Sequence, residues 1–249
     1  MHRNKGGTPE AGDDMTDNAP KKALFIVPAY NECANIAQVL DDLLSVAGPE
    51  QILVVNDASE DATLAVIRRY PVKYIDFPFN LGVASVLKIG FQHALKNNFA
   101  LAVQFDGDGQ HVAAEAAKIA EAIRADICDV AIGSRAGLSE HTSSLARRVG
   151  SKFISGILVL LTGQYISDPT SGFRAYSLAA IQKFARDFPD EYPEVESIVL
   201  AKKFGLRVKE TSVTMRPRQA GSSSITIFGS IYYLVKVILA SCIILLRKY

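Results

Sequence analysis

Two carboxylates one residue apart, Asp106 and Asp108, close an apolar run over residues 101–105, in the segment Val103-Gln-Phe-Asp-Gly-Asp-Gly-Gln-His111. The run reads as a buried strand opening onto a turn. Gly107 and Gly109 carry no Cβ, so that turn can take φ > 0 and let a bulky anion come close to the backbone. Such a pair suits a hard cation, Mg²⁺ or Mn²⁺, which prefers oxygen and is usually held by one or two carboxylates with substrate phosphates completing the shell. Gln110 offers a third oxygen, directly or through water. A Ca²⁺ loop starting at Asp106 would need Gly sixth and Glu twelfth, where the chain has His111 and Ala117, so that alternative fails. A solvated Asp/Gly turn is the plainer alternative. Position tips the balance against it, because open α/β sheets bind ligands beyond the carboxyl ends of their strands. His111 reads as a turn residue or a partner of the ligands rather than a ligand.

The elements that must hold this turn come in a regular alternation. Residues 23–27 form an apolar strand that runs into Pro28-Ala-Tyr-Asn-Glu32, and Ile36, Val39, Leu40, Leu43 and Leu44 then recur at helical spacing. A second strand at 52–55 ends in Asn56-Asp57, and Ala58-Ser-Glu-Asp61 opens the next helix with capping and acidic side chains. A short strand at 72–75 leads through Asn80-Leu-Gly82 to a helix ending near residue 96. Beyond the Asp-Gly-Asp turn the pattern predicts a helix over 112–124 and a strand over 129–135, with Arg135 at its carboxyl end. This succession argues for a mostly parallel sheet covered by helices on both faces. Past Arg135 it loosens into a loop at 138–141, a helix over 145–161 with Arg147 and Arg148 near its start, and a turn-rich stretch from 166 to 176. Helices at 177–186 and 193–204, a strand at 208–215 and a basic loop at 216–224 follow.

Composition bounds the function. The 249 residues are 49% hydrophobic and 21% charged with net charge +1, enough for a sizeable core and without a basic field or an arginine-aromatic interleaving for nucleic acid. Cys33, Cys128 and Cys242 are odd in number and far apart, pointing to reduced thiols and no zinc or disulfide framework. No Gly-x-Gly-x-x-Gly follows the first strand and no Gly-Lys-Ser/Thr loop occurs, so a nucleotide would need other anchors. Residues 1–21 lack an apolar segment and read as a disordered leader, 22–224 as the catalytic domain, and 225–249 as an apolar C-terminal helix. From Ile225 to Leu246 that tail has one charge, Lys236, in 22 residues. At about 1.5 Å per residue it would measure about 33 Å, enough to cross a bilayer, yet a mid-helix lysine equally suits a helix lying in the interface with Tyr232 and Tyr233 at headgroup depth.

With Pro28-Ala-Tyr-Asn-Glu32, Asn56-Asp57-Ala-Ser, Asn80-Leu-Gly82, Asp106-Gly-Asp-Gly-Gln110, Gly133-Ser-Arg135, Asp168-Pro-Thr-Ser-Gly-Phe-Arg174 and Arg218-Gln-Ala-Gly-Ser-Ser223 in this order, the chain resembles glycosyltransferase family 2. Within it the likeness is to dolichol-phosphate mannosyltransferases and bacterial polyprenyl-phosphate glycosyltransferases, over roughly residues 22–240. The resemblance implies an α/β fold of the nucleotide-diphospho-sugar transferase (GT-A) type. It also implies transfer of a sugar, with inversion, from a UDP- or GDP-sugar to a polyprenyl phosphate, undecaprenyl or dolichyl.

On the matching positions, Pro28, Ala29, Tyr30, Glu32, Asp57, Gly82, Lys88, Asp106 and Gly107 would bind the nucleotide-sugar, and Asp106, Asp108 and Gln110 the Mg²⁺ or Mn²⁺. Arg135, Arg174, Arg218 and Ser223 would hold the acceptor phosphate, and Asp106, Asp108, Asp168, Arg135 and Arg218 would carry the chemistry. Asp168 is the candidate base or acceptor-orienting acid, although Asp-Pro equally opens a turn. Glu194 and Glu196 are placed either to face the sugar or simply to start a helix. Asn56 stands where Asp is commoner, Ala58 where Gly is usual, and Val83-Ala84 where a glycine often recurs, which puts the base in doubt more than the chemistry. The expected partners are the donor, the lipid phosphate, the cytoplasmic face of a membrane (peripherally or through one C-terminal span) and a small membrane protein. Two alternatives stay open: a family 2 enzyme with a saccharide acceptor, and a non-catalytic nucleotide-sugar-binding scaffold.

Overall fold

The computed structural model describes residues 23–135, 145–217 and 227–247. The leader, the 138–141 loop, Arg218 and Ser223 lie outside the described residues. The chain runs β1 (Leu24–Ala29), α1 (Ile36–Leu44), β2 (Ile52–Asn56), α2 (Thr63–Ile67), β3 (Lys73–Asp76), α3 (Gly82–Lys96), β4 (Leu101–Gln104) and α4 (Ala116–Arg124). It continues through β5 (Val130–Ser134), α5 (Leu145–Thr162), β6 (Arg174–Ser177), α6 (Leu178–Phe184), α7 (Pro193–Lys203), β7 (Val208–Ser212) and α8 (Ile227–Leu246). The strands form one seven-stranded sheet in the order β3-β2-β1-β4-β6-β5-β7. All neighbours are parallel except β6, which runs antiparallel to both β4 and β5. This is an α/β GT-A-like arrangement.

Successive strand side chains face opposite sides, and both sides are apolar, so each strand contributes to two cores. Leu24 and Ile26 of β1 pack with residues of α3, α5, α6, α7 and α8, whereas Phe25 and Val27 pack with α1, α2 and α4. In α1 the residues that recur at helical spacing, Ile36, Val39, Leu40 and Leu43, are the buried ones.

Strand order explains where a ligand can sit. From β1 the chain winds outward through β2 to β3, then crosses back so that β4 pairs with the other side of β1. Adjacent connections therefore leave β1 and β4 in opposite directions, and a crevice opens at their carboxyl ends. Phe105 N–H donates to the Ile26 carbonyl at 3.0 Å, which sets the Asp-Gly-Asp turn beside the Pro28–Glu32 loop.

The C-terminal helix is present as α8, but its setting differs from a span. Val237 and Ser241 are fully buried and Ile244 is 7% exposed, so one face is committed to the domain. Among the described residues no helix is long and apolar enough to cross a membrane.

Candidate active site

A cavity of about 320 Å³ lies at this crevice, lined by Pro28, Ala29, Tyr30, Glu32, Asp57, Val83, Val86, Asp106, Gly107, Asp108 and Glu194. Eight of these were expected from the sequence as metal or nucleotide-sugar residues, and the fold brings all eight together. A neighbouring groove of about 470 Å³ shares Tyr30 and adds Asn56, Ala58, Ser59, Asp76, Phe77 and Phe79. Tyr30 is 47% exposed and Phe79 63%, so two aromatic faces stand open on that groove.

The turn after β4 is held from every side. Asp106 Oδ1 accepts from Gln104 Nε2 at 3.1 Å, and the Asp106 N–H donates to His111 Nδ1 at 3.1 Å. His111 is 4% exposed and stacks on Phe173 with centroids 4.5 Å apart. Burial pushes the imidazole's pKa down, against the pull of Asp106 and Asp108. With Nδ1 accepting, its proton sits on Nε2, which lies 3.7 Å from Asp106 Oδ2. Asp108 Oδ1 accepts the Gln110 N–H at 3.0 Å.

Two glycines explain how closely the turn is packed. A Cβ on Gly107 would lie 2.9 Å from the Pro28 carbonyl oxygen, and one on Gly172 would collide with Asp106 Oδ2. Gly172 belongs to the Asp168–Phe173 segment, far along the chain from the turn it presses on. Sequence reasoning quoted it inside a motif and gave it no role.

On the nucleotide side, Asp57 is 4% exposed, and its carboxylate accepts the N–H groups of Leu81 at 2.6 Å and Gly82 at 2.9 Å. It thus lines the cavity and ties down the start of α3, where an acid is favoured by the helix dipole. Glu32 Oε2 accepts from Asn35 Nδ2 at 2.8 Å and its N–H donates to Thr63 Oγ1 at 2.8 Å, fixing the first loop against α2. Ala58 adopts φ 59°, a left-handed conformation that suits glycine, which accounts for the residue type expected there.

Several assignments move. Arg174, expected at the acceptor phosphate, is 1% exposed. It donates from Nε to the Ser171 carbonyl at 2.7 Å, from Nη1 to Ser197 Oγ at 2.9 Å and from Nη2 to the Pro169 carbonyl at 2.9 Å. A planar guanidinium suits this buried tie between the 169–171 turn and α7, and leaves no fork turned to solvent. Asp168, the candidate base, accepts Arg135 Nε at 3.0 Å and is absent from the cavity lining, while its own N–H donates to Glu210 Oε1 at 2.9 Å. Its carboxylate fixes Arg135, whose side chain is 40% exposed and, like Asp168, is absent from the cavity lining. Lys88, on α3, and Gln110, in the turn after β4, are both absent from the lining, and the Gln110 carbonyl accepts the Arg216 N–H at 2.7 Å.

Glu194 was noticed in the sequence only as a helix start that could face a sugar. The first turn of α7 sets it into the cavity, where burial raises its pKa, partly opposed by the nearby Arg174.

Among the described residues no group of three or more His, Cys, Asp or Glu could cage a metal. The donors present still fit a hard divalent cation, because Asp106 and Asp108 bring two carboxylates to one cavity wall and Mg²⁺ or Mn²⁺ needs no more from the protein when phosphates supply the rest.

Comparisons with known proteins place the chain among others of its family and fold. Residues 24–185 match the family model described as glycosyl transferase family 2. The chain is 29% identical over 216 residues to the UDP-N-acetylglucosamine–dolichyl-phosphate N-acetylglucosaminyltransferase of Methanococcus voltae, covering 78% of this chain and 86% of that protein. It is 28% identical over 228 residues to the polyprenol monophosphomannose synthase of Mycolicibacterium smegmatis, covering 87% and 86%. In fold it is similar to glucosyl-3-phosphoglycerate synthase from Mycobacterium tuberculosis, solved with Mn²⁺, UDP-glucose and phosphoglyceric acid, with a TM-score of 0.70 at 15% identity over 90% of this chain and 80% of that one.

Proposed function

Since this chain belongs to glycosyltransferase family 2, and is similar to its polyprenyl-phosphate enzymes, we propose that it transfers a sugar, with inversion and with a divalent metal, from a UDP- or GDP-sugar to a polyprenyl phosphate at the cytoplasmic face of a membrane. The observation that carries the reading is the Asp106/Asp108 pair sharing one cavity wall with the loop after β1, at the crevice between two strands whose connections diverge.

In this reading the diphosphate lies along the cavity, and Pro28, Ala29, Glu32 and Asp57 hold the nucleoside end. Tyr30 and Phe79 shelter the base in the adjoining groove. Asp106 and Asp108 would hold Mg²⁺ or Mn²⁺, which would supply Lewis-acid stabilisation of the charge left on the departing diphosphate. Arg135, oriented by Asp168, meets the acceptor phosphate together with Arg218 and Ser223 of the basic loop. One oxygen of the acceptor attacks the anomeric carbon as the bond to the β-phosphate breaks, and the nucleoside diphosphate departs. A phosphate monoester has a second pKa of about 6 and is largely dianionic at neutral pH, so no side chain has to remove a proton. That removes the need for a base, a role for which Asp168 is poorly set while bound to Arg135. A saccharide acceptor would demand such a base.

The test is a donor screen in detergent, with labelled UDP-sugars and GDP-mannose offered to undecaprenyl and dolichyl phosphate. A chloroform-soluble labelled product is expected from at least one pairing; label transferred only to a water-soluble saccharide would replace the lipid reading.

Glu194 is the carboxylate best placed to accept hydrogen bonds from sugar hydroxyls. Glu194→Gln is expected to lower kcat/KM for the sugar nucleotide about 10- to 100-fold while leaving the affinity for free nucleoside diphosphate unchanged. Stability should move the other way. A carboxyl whose folded-state pKa is raised is penalised in its charged form, a penalty present above that pKa and gone below the ordinary carboxylate range. Without added metal, the variant should therefore melt higher than wild type at about pH 7.5 and no higher at about pH 4.

A further inference from the structure

The groove beside the cavity carries a pair of side chains that the transfer step does not use. Asn56 closes β2 and Asp76 closes β3, and the two are register partners in adjacent parallel strands. Asn56 is 1% exposed, and its Nδ2 donates to Asp76 Oδ1 at 2.7 Å. Ser59 Oγ donates to Asn56 Oδ1 at 2.6 Å, so the amide is engaged at both ends and keeps its N–H₂ turned on the carboxylate. An aspartate at position 56, commoner there in the family, would set two carboxylates against one another and drive one of them to take up a proton. Asparagine instead fixes Asp76 as an acceptor.

Asp76 keeps an edge open to the groove. Its side chain is 36% exposed, and Oδ2 accepts no hydrogen bond among the described residues. Arg68 Nη2 stands 4.0 Å from that oxygen, too far for a hydrogen bond, on a side chain that is 58% exposed. The groove is lined by the open rings of Tyr30 and Phe79, and its only charged side chains are the acids Asp76 and Glu60. A planar base stacked on such rings presents its hydrogen-bonding edge to the polar wall. The Watson–Crick edge of guanine has two adjacent donors, N1–H and the 2-amino group, which match the two oxygens of one carboxylate. Uracil has a single N3–H between two carbonyls. A carboxylate that accepts it turns its second oxygen on a carbonyl, and no Lys or Arg lines the groove to answer.

We propose that the Asn56–Asp76 pair selects guanine, so that the donor is a GDP-sugar rather than a UDP-sugar. The inference rests on the sugar-nucleotide reading and names the base which that reading leaves open. Consecutive residues at the end of β2 then serve the two spaces, Asp57 lining the cavity and Asn56 the groove. Asp76 touches no reacting atom in this arrangement. It sets the difference in affinity between one donor and the other, which is what specificity consists of.

The experiment is calorimetric titration of the full chain, with Mg²⁺ present, by GDP, UDP and inosine diphosphate, whose base lacks only the 2-amino group of guanine. GDP is expected to bind about 10- to 100-fold more tightly than UDP, and about 10-fold more tightly than inosine diphosphate. Asp76→Asn keeps the side-chain volume and replaces one acceptor oxygen by a donor. It should weaken GDP about 10- to 100-fold and leave UDP within about threefold, at an unchanged melting temperature, so that the preference disappears. UDP binding as tightly as GDP, inosine diphosphate binding as tightly as GDP, or a GDP preference that survives Asp76→Asn would each overturn the proposal. The first two comparisons need only the wild-type chain. Transfer assays separate the two claims: lipid-linked product formed only from a UDP-sugar sinks the guanine assignment alone, and a GDP preference without transfer from any GDP-sugar to lipid phosphate sinks the enzymatic reading alone. Failure of all three diphosphates to bind overturns both.

Discussion

Asp108→Asn is expected to lower donor turnover by about 10³-fold or more, with the melting temperature close to wild type. A Lewis acid at a departing phosphate contributes several kcal/mol, and each 1.36 kcal/mol is a factor of ten in rate. Asn keeps the side-chain volume and can still accept the Gln110 N–H that Asp108 takes at 3.0 Å, so the turn itself survives. What is lost is one negative charge of the pair that holds the cation. Asp106→Asn should cost as much activity and some stability as well. Asp106 is met by the Gln104 amide at 3.1 Å and packed against Gly172, and an amide there brings donor toward donor unless it flips. Chelation of wild-type enzyme should reproduce the loss, with Mg²⁺ or Mn²⁺ restoring wild type and not the variants. Turnover within tenfold of wild type in Asp108→Asn, or indifference to excess chelator, would end the metal assignment.

The second large effect is on stability. Arg174→Leu is expected to destabilise the fold by about 3–5 kcal/mol, because it strands the Ser171 and Pro169 carbonyls and removes the charged donor to Ser197 Oγ, which keeps only its own bond to the Glu194 carbonyl, and each orphaned buried group costs about 1–3 kcal/mol. For a chain of this size that corresponds to a fall in melting temperature of about 10 °C. Arg174→Lys should recover little, since one ammonium cannot reach three acceptors laid out for a planar fork. A role in binding the acceptor phosphate predicts the opposite pattern, lost activity at unchanged stability. Thermal unfolding of the two variants, followed by circular dichroism, decides between them.

Local pattern accounts for most of the elements. The strand ahead of Asp106, the helix begun by Ile36 and the alternation through Arg135 follow from apolar spacing, which depends only on near neighbours along the chain. The Asp-Gly-Asp turn was legible for the same reason, since two carboxylates and two glycines at a strand's end are a complete local statement. Ala58 stood out only as a departure from the glycine usual in the family; that the position is left-handed, at φ 59°, came from the structure.

Residues whose surroundings depend on distant partners could not be placed from local pattern. Arg174 and Asp168 look alike in sequence, each a charged residue in one turn-rich motif, yet one is sealed in the core and the other is bonded to Arg135. The antiparallel insertion of β6 between β4 and β5 makes that difference, because it swings the segment that precedes it against the Asp106 turn and brings Gly172 onto a carboxylate. Glu194 enters the cavity only because of where α7 begins.

For α8 the sequence specified an apolar helix and left its surroundings open, as hydrophobicity is non-directional and says how much surface must leave water without saying against what. The tertiary structure decided that one face rests on the domain and the other points outward. Composition and period set which segments become strand or helix and where two carboxylates close a strand, while the identity of each side chain's partner was settled by the order in which the strands assemble.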